Sequence, residues 1–195
     1  SPWGKGRPGW HIECSAMALH TLGDTIDIHG GGADLIFPHH ENEIAQSECY
    51  TGKTFAHYWL HNGFVTLKDE KMSKSIGNIF TVKDVLKQYS GSVIRFFLLK
   101  VHYRSPIQYS EAGLIEAKQA LGRLVDTFQS VSQTDINPDY ATDFETIRSR
   151  FHVAMSDDFN TAAAIGVLFD LNKLIHKTQS GTTILKELGD ILGIF

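Results

Sequence analysis

Three neighbouring segments place the strongest constraint on the fold of this chain. Residues 25–29, TIDIH, alternate apolar and polar side chains and predict a strand. A helix rich in His and Glu follows from about His39 and ends near Gly52. Residues 57–67, HYWLHNGFVTL, are aromatic and branched and predict one or two further strands. Strand, helix and strand in this order predict part of a parallel α/β sheet.

The glycine-rich stretch GGGAD, residues 30–34, follows the first predicted strand. It predicts a tight turn, in which glycines let the backbone approach closely. Strand, glycines and helix are also how nucleotide-binding α/β proteins expose backbone N–H groups, although these glycines do not match the dinucleotide fingerprint. His29 and Asp34 flank the stretch, and either could bind a ligand or serve the structure alone.

The periodicity becomes helical from about Ser110. Apolar residues then recur every three or four positions, at Leu114, Ala117, Leu121, Leu124, Phe128 and Val131. The segments 143–155, 161–177 and 182–195 repeat this pattern, so the last third predicts a helical bundle. Before it, Gly23 predicts the end of an N-terminal helix, Thr81 with Asp84 predicts a helix start, and residues 92–103 predict a buried helix.

Composition excludes several classes of protein. The 195 residues are 42% hydrophobic with a formal net charge of −4, so no basic surface indicates an autonomous DNA-binding module. Two cysteines, Cys14 and Cys49, exclude a disulfide framework and favour a reducing compartment. No apolar run has the length of a membrane span. The chain lacks an initiator Met and is expected to be a fragment of a longer protein.

The His/Glu segment is a candidate metal site. His39 and Glu43 are four apart and share a helix face, whereas His40 and Glu43, three apart, are a poorer pair. Cys14 could add a thiolate, and sulfur, nitrogen and oxygen ligands together suit Zn²⁺. Cys49 lies roughly 600° around the helix from Glu43 and is a poor fourth ligand. Acidic residues at a helix start are also favoured by the helix dipole alone.

The loop KMSKS, residues 71–75, offers two lysines and two serines that could close over phosphates. The simpler alternative is a solvated basic turn. Trp10 could form the wall of a small pocket or could belong to the core.

Together, GRPGWHIECSAM, DIHGGGADLIFPHHENEIAQSE and KMSKSIGN resemble the second half of the catalytic domain of cysteinyl-tRNA synthetases, over residue 1 to about 109. The resemblance implies a class I aminoacyl-tRNA synthetase with a Rossmann-type domain followed by an α-helical bundle. The implied domains are residues 1–66 (catalytic half), 67–109 (KMSKS loop and stem-contact region) and 110–195 (helical bundle on the tRNA side).

The resemblance also implies the chemistry. Cysteine would be activated with ATP and Mg²⁺ as cysteinyl-adenylate and then transferred to tRNA(Cys). One Zn²⁺ per chain would select cysteine over serine. The implied zinc ligands are Cys14, His39 and Glu43, with a fourth ligand outside this chain. Implied substrate or ATP contacts are Trp10, His29, Asp34 and Lys74, and Lys71 and Lys74 are the implied catalytic residues. A cytoplasmic monomer without DNA or membrane partners is expected.

The chain departs from the family because it contains no HIGH-type motif and lacks the first zinc cysteine. Two alternatives therefore stay open at this point. One is the cysteine ligase of mycothiol biosynthesis, which has the same fold and passes activated cysteine to an amino sugar. The other is a non-catalytic paralogue that binds zinc or RNA, against which the intact KMSKSIGN loop argues.

Overall fold

The computed structural model describes residues 2, 4–7, 9–67, 70–71, 81–132 and 134–195, and only the backbone of Glu70 and Lys71. The chain divides into two compact units, Ser1–Phe64 and Val65–Phe195. The predicted domain boundaries near residues 66 and 109 remain predictions. Within the described part of the chain, no helix is both long enough and apolar enough to cross a bilayer.

The first unit contains a parallel two-stranded sheet with a helix in the connection between its strands. Its elements are α1 (Ile12–Leu22), β1 (Ile26–Gly32), α2 (Glu41–Thr51) and β2 (Ala56–Asn62). The two strands pair from Ile26 opposite Ala56 to Gly32 opposite Asn62. The predicted strand–helix–strand unit is therefore confirmed, and a helical crossover is what joins parallel strands.

The glycine triplet lies in a strand, so the prediction of a tight turn over residues 30–34 is wrong. Residues 30–32 continue β1, and the turn follows as the 3₁₀ helix Ala33–Leu35. Close packing explains the glycines, because a Cβ on Gly30 would lie 3.1 Å from the carbonyl oxygen of Leu60 on β2. Glycine within a strand is typical of such close backbone approach.

The predicted helix ends are confirmed by their geometry. Gly23 follows α1 with φ of 98°, and Gly52 follows α2 in the left-handed region with φ of 69°. Glycine adopts such positive φ values without the clash that a Cβ would cause. The side chain of Thr81 accepts a hydrogen bond from the backbone N–H of Asp84, as expected at a helix start.

The second unit combines a small sheet with six α-helices among its described residues. The sheet order is β4–β3–β5, with β3 parallel to β5 and antiparallel to β4. The elements are β3 (Val65–Leu67), β4 (Glu70–Lys71), α3 (Val82–Val85), α4 (Gly91–Leu99), β5 (Ile107–Tyr109), α5 (Glu111–Ser130), α6 (Ala141–Ser156), α7 (Thr161–Thr178) and α8 (Thr182–Leu192). This arrangement confirms the predicted helical bundle and the helix within residues 92–103.

One apolar cluster forms the core of the second unit. It includes the fully buried side chains of Leu124 on α5, Phe144 on α6, Leu168 on α7 and Leu188 on α8. The amphipathic stripe read from α5 faces this cluster, because Leu114, Ala117, Leu121 and Leu124 are all buried. Burial of these stripes against one another stabilises the bundle.

Candidate functional site

A group of polar side chains lies in the first unit, between the sheet and the start of α2. His29 is on β1, His61 is on β2, His40 immediately precedes α2, and Glu43 lies in the first turn of α2. In the register of the sheet His29 is opposite Trp59 and Gly31 is opposite His61, so a period of two puts both histidines on one face. The face covered by α2 is therefore lined with imidazoles.

Glu43 is the centre of this group. It is only 5% exposed, and the Nε2 of His29 is 2.8 Å from its Oε2. Potential metal-binding atoms of His29, His40 and Glu43 all lie within 4.8 Å of one another. A buried carboxylate requires hydrogen bonds or cations to replace its lost water. The cluster therefore has the ligand types and the spacing of a cation site.

The surroundings of His40 favour the neutral form of its imidazole. It is 5% exposed, and its Nδ1 is 2.8 Å from the Nε2 of His61. Burial lowers the pKa of His40, and the neighbouring charge of His29 lowers it further. The ring of Trp59 packs 5.1 Å from that of His40, measured between centroids. A neutral imidazole retains the lone pair that a metal ion requires.

Cys14 on α1 reaches the same carboxylate. Desolvation, followed by the negative charge of Glu43, raises the pKa of the Cys14 thiol. Both effects keep the thiol protonated in the absence of a cation. A divalent cation would reverse this preference, because thiolate and carboxylate would then share a positive charge. The negative charge of Glu43 thus influences Cys14, and the assignment of both residues as metal ligands stays a prediction.

His39 lies in a neighbouring aromatic cluster, apart from the group around Glu43. Its Nδ1 is 3.1 Å from the Nε2 of His11, and the ring of Trp10 packs edge-on at 5.2 Å between centroids. His39 lies in the segment Ile36–His40, which precedes α2 and is interrupted by the extended backbone of Phe37 (φ −130°, ψ 133°). The pairing of His39 with Glu43 in one metal site stays a prediction.

The other predicted site residues have separate positions. Trp10 is 79% exposed and lines a recess of about 700 Å³ together with Arg7 and Glu13. Asp34 is exposed in the 3₁₀ turn that follows β1. Lys71 contributes its backbone to β4, opposite Thr66. Lys74 lies outside the described residues.

Sequence reasoning missed two histidines of these clusters and underrated a third. His11 pairs with His39, His61 pairs with His40, and His40 appeared only as a poorer alternative to His39. A signal for His61 exists in the sequence, because His29 and His61 both belong to predicted strands of one sheet. Combining the parallel register with the period of two would have placed both on the same face.

The donor chemistry around Glu43 fits a zinc ion. Sulfur from Cys14, imidazole nitrogen from His29 or His40 and carboxylate oxygen from Glu43 are the ligand types that Zn²⁺ accepts. Harder cations such as Mg²⁺ prefer oxygen ligands throughout, which this group does not supply.

Comparison with known proteins decides the family. Residues 1–119 match the family described as tRNA synthetases class I (C), catalytic domain. The chain belongs to this class I tRNA synthetase family. A second match, to the DALR domain, covers residues 150–195 of the same synthetase chain.

Proteins named Cysteine--tRNA ligase are similar to this synthetase chain over its whole length. The identity is 56% for the protein from Aromatoleum aromaticum, 53% for that from Neisseria meningitidis and 50% for that from Bacillus velezensis. Each match covers 100% of this chain but only 42%, 44% and 46% of the respective relative. The synthetase chain thus spans less than half the length of these relatives.

The fold is also similar to that of a solved synthetase. A ternary complex of Agrobacterium radiobacter LeuRS with tRNA and LeuAMS matches with a TM-score of 0.67 and 20% identity, covering 85% of this chain and 25% of that one. At this identity the likeness concerns the fold alone. It agrees with the predicted α/β synthetase domain followed by helices.

Proposed function

We propose that the protein containing this chain is a cysteine--tRNA ligase. It joins the carboxylate of cysteine to the α-phosphate of ATP with release of pyrophosphate, and then transfers the cysteinyl group to tRNA(Cys) with release of AMP. The observation that carries this proposal is the convergence of His29 and His40 on the buried Glu43, whose negative charge also acts on the Cys14 thiol. Eight relatives named Cysteine--tRNA ligase, 48–56% identical over the whole chain, support it.

Zinc belongs to the proposal as the group that selects the substrate. Cys14, His39 and Glu43 are the proposed ligands in this chain, and the position of His40 beside Glu43 makes it the competing histidine. When bound, Zn²⁺ supplies a strong preference for a thiolate over a hydroxyl. This preference is needed because a pocket that relies on shape separates near-isosteres such as cysteine and serine poorly.

The residues of the chain have distinct parts in this proposal. His29 is oriented by its hydrogen bond to Glu43 and, with Trp10, contributes to the cysteine pocket. The packing of Trp59 against His29, at 4.7 Å between ring centroids, limits the movement of that imidazole. Fixed orientation of a binding group reduces the entropy lost when substrate binds.

The proposal assigns contacts with the nucleotide to Asp34, Lys71 and Lys74. Asp34 follows the carboxyl end of β1, the edge at which α/β sheets bind their ligands. The ammonium groups of Lys71 and Lys74 would neutralise negative charge on the departing pyrophosphate of Mg²⁺–ATP. A cytoplasmic monomer, with cysteine, ATP and tRNA(Cys) as its partners, completes the proposal, since charged tRNA is consumed by translation.

Metal analysis and substrate discrimination in the full-length protein test the zinc assignment. We expect about one zinc ion per chain, in keeping with the one group of candidate ligands found among the residues that the structure describes. Glu43→Gln should lower the zinc content and raise the KM for cysteine by about tenfold or more, since a metal ligand is lost. Glu41→Gln, an exposed neighbour on the same helix, is the matched control and should change neither.

A pair of histidine variants identifies the imidazole ligand. If His39 binds the metal, His39→Asn should lose zinc and erode the rejection of serine, whereas His40→Asn should retain more of both. The reverse result would assign the ligand to His40. Normal zinc content and normal rejection of serine in Glu43→Gln and in both histidine variants would contradict the metal proposal.

The role of Lys74 is tested by the rate of cysteine-dependent ATP–pyrophosphate exchange. Lys74→Ala should slow exchange much more than it weakens cysteine binding, because the charge that it neutralises develops in the transition state. An unchanged exchange rate would remove Lys74 from the mechanism.

A further inference from the structure

The turn between α6 and α7 has an unusual backbone. Asp158 and Phe159 are consecutive non-glycine residues with positive φ, 51° and 53°. An aromatic residue rarely adopts this conformation, and the surrounding contacts must hold it there. Burial does not fix Phe159 in this backbone conformation, because the residue is 50% exposed.

The carboxylate of Asp158 supplies contacts that fix the turn. Arg104 donates through Nε to Oδ2 and through its second guanidinium nitrogen to Oδ1 at 3.1 Å. The hydroxyl of Tyr103 donates to Oδ1 at 2.7 Å, and Nε2 of His102 lies 3.8 Å from Oδ2. A two-pronged contact of this kind fixes orientation as well as distance. One side chain thus ties the α6–α7 turn to three successive residues elsewhere in the unit.

Those three residues occupy the short connection between α4 and β5, residues 100–106. A second contact holds the start of this connection, because Oγ1 of Thr161 on α7 donates to the carbonyl oxygen of Leu99 at 2.8 Å. The connection is therefore attached to the helical bundle both where it leaves α4 and shortly before it enters β5.

Backbone pairing between strands links this connection to Lys71. β5 pairs in parallel with β3, with Ile107 opposite Val65 and Tyr109 opposite Leu67. β3 in turn pairs with β4, with Thr66 opposite Lys71. A displacement of β5 would be transmitted to β4 through these backbone hydrogen bonds, which join β5 to β3 and β3 to β4.

We propose that Asp158 is a positioning residue for cysteine activation, because it holds in place the sheet β4–β3–β5, whose backbone includes Lys71. The helical bundle would thereby set the place of strand β4, which contains the proposed nucleotide-binding residue Lys71. This inference rests on the proposed ligase function, since Lys71 acts on ATP only if that function is correct.

A neighbouring carboxylate provides a matched control. Asp170 on α7 accepts a hydrogen bond from Arg150 on α6 at 2.8 Å and from Lys173 at 3.2 Å. Like Asp158, it is a partly exposed aspartate with more than one polar partner. Its partners lie on α6 and α7, the two helices that the turn containing Asp158 connects. None of the contacts described for Asp170 leads to the sheet. A general effect of losing an ion pair should therefore appear equally in both variants.

The test compares Asp158→Asn and Asp170→Asn in the full-length protein. In cysteine-dependent ATP–pyrophosphate exchange, Asp158→Asn should lower kcat by about tenfold while the KM for cysteine stays unchanged, because a small misplacement of a catalytic group costs rate rather than cysteine binding. Hydrogen–deuterium exchange of residues 65–67 and 107–109 should become faster in the same variant. Asp170→Asn should match the wild type in both measurements.

Several outcomes would overturn the inference. These are an unchanged kcat in Asp158→Asn, an equal loss in Asp170→Asn, or unchanged hydrogen exchange in the two strands. If Asp158→Asn does not fold, Tyr103→Phe removes one hydrogen bond to the same carboxylate and must show the same pattern at smaller amplitude. Its absence there would also overturn the inference.

Failure of the proposed function would be recognised separately. It would appear as absent cysteine-dependent exchange in the wild type. Hydrogen exchange in the strands would in that case still decide whether Asp158 holds the sheet.

Discussion

The two units of this chain use their buried positions differently. Among the described residues, the second unit buries a large apolar cluster, whereas the corresponding cluster of the first contains only Ile26, Phe55 and Ala56. The first unit instead buries His40 and Glu43, which are titratable. Burial of such groups opposes folding unless they are paired, so their presence indicates a site rather than a core. The second unit buries mainly apolar side chains, so we call it the scaffold of the chain.

Truncation of the scaffold core should have the largest effect on stability. Leu168 is fully buried on α7, and Leu168→Ala should lower the free energy of unfolding by about 2–5 kcal/mol through lost burial and a cavity. Val153→Ala on α6, at a side chain that is 66% exposed, is the control and should change stability by less than about 0.5 kcal/mol. Denaturant unfolding measures both. Similar losses in the two variants would contradict the assignment of the core.

Addition of one methyl group should disturb the site of the first unit. A Cβ on Gly31 would lie 2.8 Å from Leu35 Cδ1 and 3.0 Å from His40 Cε1. Gly31→Ala should therefore cost about 1–3 kcal/mol and shift the ring of His40. Thermal unfolding measures the first effect, and the NMR shift of the His40 imidazole measures the second. An unchanged His40 resonance would show that this wall of the site is looser than the structure indicates.

The same substitution in the scaffold should have the opposite sign. Gly122 lies within α5, and nothing is found within 4 Å of an added Cβ. Gly122→Ala should stabilise the protein by about 0.5–1 kcal/mol, because alanine loses less conformational entropy in a helix. Thermal unfolding beside Gly31→Ala provides the comparison. Destabilisation by Gly122→Ala would mean that this helix face is covered in the full-length protein.

The smallest effect concerns acid stability of the second unit. The hydrogen bonds from Arg104 and then Tyr103 lower the pKa of Asp158 from 3.8 to about 2. Because the folded-state pKa is lowered, its stabilising contribution is complete above pH 3.8 and is lost as the pH falls toward 2. Comparison of Asp158→Asn with the wild type should therefore show stabilities that converge over this interval. A constant difference down to pH 2 would exclude the ion pair as the cause.

Much of the fold was predictable because its signals are local. The apolar stripe of α5, the caps at Gly23, Gly52 and Thr81, and the order of strand and helix each depend on residues a few positions apart. Sequence motifs also indicated the synthetase family, which the match over residues 1–119 shows. Predictions failed where a local rule met a tertiary requirement, as for the glycines that continue β1 so that β2 can approach closely.

The sequence by itself predicted most of the elements, the family and the candidate ligands Cys14, His39 and Glu43. Only the tertiary structure decided that His29 and His40 converge on Glu43 while His39 contacts His11, because these contacts depend on how α1, β1 and α2 pack. It also decided that Asp158 meets Arg104, 54 residues away in sequence. No periodicity predicts such a contact, since it depends on how separately formed helices and strands pack.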